Sequence, residues 1–205
     1  MQRSSDDDIG DIGLKAACLQ AARESIAEHG VERLSLREVA RRLGVSHQAP
    51  YRHFPSRDHL LAEVIRQCFE DFARFLDSRD KQPTPDQDLN CLGSRYLQFA
   101  MERPLEYRLM FNTPWPEPAE EVGLVRDALH AFNILRKDLR SIHGDAPEQQ
   151  NQVDLDAMMI WSAMHGLASI MQLSSVRHLD LSEGLREQVP GYIMDRMRSL
   201  LNPVR

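Results

Sequence analysis

The stretch from Leu34 to Leu60 reads LSLREVARRLGVSHQAPYRHFPSRDHL, and its pattern predicts two short helices crossing at a tight turn. Ser35 followed by Glu38 is a capping box, in which hydroxyl and carboxylate satisfy orphan backbone N–H groups at a helix start. Leu36, Val39, Ala40 and Leu43 fall on one apolar stripe at helical spacing, with Arg37, Arg41 and Arg42 off it. Gly44 ends this helix where a left-handed backbone is cheap only for glycine, and Ser46 can cap the next one. The second helix is expected from about Ser46 to Phe54, roughly 13 Å long at 1.5 Å per residue, short enough to lie within one major groove. Pro50 is tolerable there because the first turn needs no N–H from it. Ala49 and Phe54 point inward in this reading. That leaves Ser46, His47, Gln48, Tyr51, Arg52 and His53 outward or grazing, a set of donors and acceptors suited to phosphates and base edges. Any one of them alone reads equally well as a solvated surface side chain; the cap, the Gly-Val corner and the arginines together favour a helix-turn-helix.

The segment ARRLGVSHQAPYRHFPSRDHLLAEV resembles the DNA-binding part of the TetR family of bacterial transcriptional repressors. The likeness covers about Leu14 to Phe72. It includes the Gly44-Val45 turn, the Tyr51-x-His53-Phe54 ending, and Pro55-Ser56-Arg57 opening a connecting helix. The resemblance implies a homodimer that binds a palindromic operator and releases it when a small ligand enters the C-terminal domain. Residue by residue, it implies phosphate contacts from Ser35, Tyr51, His53 and Arg57, and base contacts from Arg37, His47 and Gln48. Position 49 departs from the pattern: Ala49 stands where the family often has Thr or Ser, so a polar contact is missing.

With 205 residues, 42% apolar and 27% charged, the chain has the composition of a globular protein with one or two small domains. Its net charge of −6 is unevenly spread, because Val31 to Arg57 holds six arginines against Glu32 and Glu38. A basic patch is what matters for phosphate, since exposed charges act over about a Debye length. The three widely spaced cysteines, Cys18, Cys68 and Cys91, fit the reducing cytoplasm, and no signal peptide or membrane span is expected. Asp6-Asp7-Asp8 reads as a solvated tail.

Along the chain, Ile12 to His29 forms a first helical stripe stopped by Gly30. Ser56 caps a long helix running to about Leu76, and a polar break follows over 78–83. Thr84-Pro85-Asp86-Gln87 opens a helix to about Met101, and Leu105 to Phe111 forms a short one. Three prolines then exclude regular structure over 114–118. Glu120 to His143 is amphipathic, Asn151 to Val176 is a core helix, and a last helix is broken or kinked at Pro190-Gly191. The expected fold is all-α with about nine helices: a three-helix DNA-binding domain over residues 12–57 and a ligand-binding and dimerisation bundle over residues 58–205.

Trp161 with His165-Gly166, and FAMERPLEYRLMF from Phe99 to Phe111, are similar to one subgroup of the same family. Read from the residues alone, Met101, Tyr107, Met110, Phe111, Trp161, Met164 and His165 are large, adaptable side chains with a few polar tips, as small-molecule cavities are lined. The competing reading makes His165 a satisfied core histidine and the others packing. Apolar excess on the core helix and the final helix points to a homodimer through Tyr192, Ile193, Met197 and Leu200. No catalytic motif is present, no cofactor is implied, and no histidine spacing suggests metal ligands. The function expected is a ligand-responsive repressor of transcription. The alternatives are a metal- or redox-sensing regulator on the same scaffold and a helical interaction protein that does not bind DNA.

Overall fold

A computed structural model describes residues 5–144, 146–174 and 183–201. Among these the structure is all-helical: α1 Ser5–His29, α2 Leu36–Leu43, α3 Arg57–Asp77, α4 Pro85–Glu102, α5 Pro104–Phe111, α6 Leu124–His143, α7 Gln150–Gln172 and α8 Glu183–Leu201, with short 3-10 turns between. By compactness the chain divides into Met1–Glu70 with Arg108–Ala128, and Asp71–Tyr107 with Leu129–Arg205. Three helices, α3, α5 and α6, contribute residues to both units.

In the first unit, Cys18, Ala22 and Ile26 of α1, Val39 and Ala40 of α2, and Leu60, Val64 and Ile65 of α3 are fully buried, with Leu36 and Phe54 nearly so. The apolar stripe of Leu36–Leu43 therefore faces this core, as its helical spacing requires. Asp6, Asp7 and Asp8 lie in the first turns of α1 and not in a tail. A network of Lys15, Glu63, Arg66 and Asp127 ties α1, α3 and the start of α6 together, with Arg66 donating to Glu63 at 2.8 Å and to Asp127 at 2.9 Å.

In the second unit, Phe72, Tyr96 and Phe99 pack edge to face, and Val153, Ala157, Met164 and Ala168 of α7 are buried. Arg79 is the unexpected core residue. It follows α3 in the polar break, yet its side chain is 2% exposed and donates to Leu76 O, Asp88 and Asp138. The last helix runs through Pro190 without ending, since proline's fixed φ suits a helix. No described helix is long and apolar enough to cross a membrane.

Candidate nucleic-acid interface and core polar cluster

The first helix of the corner forms as its sequence requires. Ser35 Oγ accepts the Glu38 N–H at 3.2 Å, and Gly44 takes φ 66, with Val45 N–H closing on Ala40 O at 3.1 Å. Glu38's carboxylate goes to Arg41 at 2.8 Å and Arg42 at 3.0 Å, where the capping box had it reaching back to the helix start. Arg42 also reaches Glu28 of α1 at 2.5 Å, which locks α2 to α1. Hydrogen bonds from Arg41, with Arg42 adding, outweigh desolvation and hold Glu38 at a pKa of about 2.

The expected second helix departs from expectation. Residues 46–54 are not an α-helix: turns are followed by a 3-10 helix at Pro50–Arg52, with Ala49 N–H bonded to Ser46 O and Arg52 N–H to Ala49 O. Pro50 supplies the reason, for it has no N–H to return to the Ser46 carbonyl, and the tighter three-residue bond from Ala49 takes that acceptor. Arg37, Ser46, His47, Gln48, Tyr51 and Arg52 are exposed, whereas Ser35, Arg57 and His53 are half-buried, His53 lying edge-on to Phe54. The arginines sort into two groups. Arg41, Arg42 and Arg57 are tied to carboxylates or carbonyls, whereas among the described residues no acid holds Arg33, Arg37 or Arg52.

In the second unit, Tyr107 and His165 come together with Tyr96, a residue the sequence reading missed. Tyr107 is fully buried, and its hydroxyl lies 2.7 Å from His165 Nδ1 and 3.1 Å from the Tyr96 hydroxyl. Burial lowers the His165 pKa and raises those of both tyrosines. We therefore assign Tyr107 O–H as donor to Nδ1 of a neutral imidazole. The missed signal was Tyr96 in register with Leu89, Leu92 and Phe99 on the buried side of α4, a polar tip on an apolar face. Trp161 lies 6.0 Å from the His165 ring and packs on Phe132. Met164 is buried beside Gly93 of α4, Met101 is half-buried, and Met110 and Phe111 belong to the first unit, where Phe111 packs on Phe69.

A depressed histidine pKa has a definite sign. The neutral ring stabilises the fold above its unfolded pKa, and that contribution is lost as pH falls through the folded value. Thermal unfolding of the parent protein should thus weaken more between pH 7.5 and 5.5 than that of His165→Gln, which keeps an acceptor but does not titrate. Parallel pH profiles for the two would show that burial does not suppress the protonation of this ring.

The residues expected to pair two copies lie on α8, with Tyr192 64% and Leu200 67% exposed and Ile193 and Met197 half-exposed. Leu155, Met158, Ile170, Met171 and Leu173 are also exposed, on α7 or at its end. The three cysteines form no disulfide, two of them are buried, and burial raises the Cys18 thiol. Among the described residues, no three His, Cys, Asp or Glu side chains gather as a metal site needs.

Comparison with known proteins adds to this geometry. Residues 19–64 match the family model for bacterial regulatory proteins of the tetR family, and residues 89–189 match that for the tetracyclin repressor-like C-terminal domain. An HTH-type transcriptional regulator of Mycobacterium tuberculosis is 26% identical over 148 residues, which is 66% of this chain and 63% of the relative, so the match spans less than two thirds of that protein. An HTH-type transcriptional repressor of the same organism is 38% identical over 63 residues, 31% of this chain and 34% of the relative. A solved structure of a protein with unknown function from Rhodococcus sp. RHA1 superposes with a TM-score of 0.73 at 22% identity, covering 90% of this chain and 93% of that one, and so shares its fold.

Proposed function

Because the chain belongs to the TetR family of bacterial regulatory proteins, a family of DNA-binding regulators and not of enzymes, we propose that it is a ligand-responsive repressor acting as a homodimer on a palindromic operator. The reading is carried by one observation: His47, Gln48, Tyr51 and Arg52 are exposed on the corner that follows α2, and Arg37 is exposed on α2 itself. Such a corner fits a major groove and brings base-reading and phosphate-reading groups to it together. Residues 12–57 act as the DNA-binding domain in this proposal, and residues 58–205 bind the effector and pair the two copies. The effector is a small, largely apolar molecule of the cytoplasm, taken up beside Trp161 and Met164. The Tyr96, Tyr107 and His165 cluster supplies its orienting hydrogen bond. A ligand moves the protein off DNA only by preferring the conformation whose reader segments are wrongly spaced. The helix α3 is continuous from the DNA-binding domain and conveys that preference.

The test separates two kinds of contact. Tyr51→Phe removes a phosphate contact and should weaken operator and random DNA alike. Gln48→Ala should instead reduce discrimination between them, by about 1–3 kcal/mol where the lost contact is bidentate. Binding curves for both sequences that neither substitution shifts would refute the assignment of this face to DNA.

A further inference from the structure

The polar cluster of the second unit has a direction. A phenol carries one proton, so the Tyr107 hydroxyl cannot donate in both of its contacts. Its proton goes to Nδ1 of the neutral His165 ring at 2.7 Å, and the 3.1 Å contact with Tyr96 is then donated by the Tyr96 hydroxyl. Tyr96 itself lies farther from that nitrogen, at 3.4 Å. Trp161 adds a side-chain hydrogen bond to Tyr96, and an indole N–H is a donor only. The donors therefore run one way, from Trp161 through Tyr96 and Tyr107 to Nδ1. A neutral imidazole that accepts at Nδ1 carries its own proton at Nε2.

The chain ends where the cluster is least enclosed. Tyr107 is fully buried and Tyr96 nearly so, whereas Trp161, His165 and Ser169, one turn apart on α7, are only half-buried. Each hydroxyl in such a chain is polarised by the donor behind it, which strengthens the bonds that follow. An ammonium would meet a donor at Nε2, and a carboxylate would bring a charge into surroundings whose burial already disfavours the imidazolium. A neutral carbonyl oxygen accepts the Nε2–H and brings no charge. On the reading that this cluster orients the effector, we propose that the effector is an apolar ketone, ester or amide whose carbonyl oxygen accepts from His165 Nε2–H. Tyr107 is the positioning residue that fixes this tautomer.

The experiment is long-range proton–nitrogen NMR of the histidine rings in the full chain, with His165→Gln identifying the His165 signals among the eight histidines. At neutral pH the His165 ring should carry its proton at Nε2 alone. Tyr107→Phe, which removes the donor, should let the Nδ1–H form appear beside it. A proton on Nδ1, or on both nitrogens, in the parent protein overturns the assignment without any Tyr107 variant having to fold. The probes are methyl butyl ketone, hexylamine and hexane, equal in carbon count. The ketone should move the Nε2–H resonance saturably, and His165→Phe should weaken its binding about fivefold while leaving hexane within about twofold. A ketone that binds without moving that resonance, or hexylamine that binds as tightly as the ketone, overturns the proposed ligand class. Should His165→Phe unfold, the resonance in the parent protein decides. Binding of neither the ketone nor hexane would overturn the reading that an apolar effector is taken up here, an outcome distinct from a wrong tautomer or a wrong order among the probes.

Discussion

Placing glutamate at both Tyr192 and Leu200 is expected to give a monomer that binds a palindromic site at least about 100-fold more weakly than the parent protein. The two side chains are 64% and 67% exposed in one copy, so the substitutions spare the core of the chain. They add like charges to an interface that would otherwise bury apolar surface, at every point where one copy meets its twin. The affinity falls because a dimer binds its second half-site as an intramolecular event, and a monomer must bind each half-site afresh. Light scattering and operator titration on the same preparation decide the matter. A double variant that stays dimeric, or a parent protein that is already monomeric, would show that α8 does not pair the copies.

The second large effect is on stability. Arg79→Met should destabilise the fold by about 3–5 kcal/mol, because it strands two carboxylates in the core. Asp138 and Asp88 are 4% and 10% exposed, and without Arg79 their remaining cation is Lys81, at 3.6 Å and 2.6 Å, whose own side chain is 66% exposed. Adding Asp138→Leu to Arg79→Met should recover part of the loss, since a buried ion pair costs more to break than to replace by apolar groups. Chemical denaturation of the single and double variants measures both. A single variant within about 1 kcal/mol of the parent would mean that water enters and solvates the carboxylates.

Arg79 also marks where reading from the sequence ends. Its stretch, SRDKQP from Ser78 to Pro83, has the composition of a solvated break, and nothing local to it tells that Asp88 and Asp138 converge on the guanidinium from α4 and α6. Features fixed by neighbours in sequence were legible. The Ser35 cap, the Gly44 stop, the Thr84 cap with Pro85, and the stripes that define α3 and α4 all formed where their spacing put them. Residues 46–54 were misjudged although the cause was visible, because a proline tolerated in a first turn still removes a hydrogen bond, and in so short a segment that decides between an α-helix and 3-10 turns. The partners of arginines were not legible. Composition counts charges, but only the fold separates Arg42, bound to Glu28 and Glu38, from Arg33 and Arg37. Tyr96 escaped for a related reason, as its hydroxyl gains meaning only from Tyr107 and His165, brought to it by other helices.

The aromatic residues give the molecule an optical property. It contains two tryptophans, and they fall one to each compact unit. Trp115 is 40% exposed, packs edge-on against Phe69 and donates its indole N–H to Met110 O at 3.1 Å, whereas Trp161 lies half-buried beside His165 and Phe132. Their emission should therefore differ in colour, redder from the wetter indole and bluer from the shielded one. Intrinsic fluorescence thus reads the two halves of the protein separately and without any added dye, and removing either indole leaves a single-channel reporter of the other half.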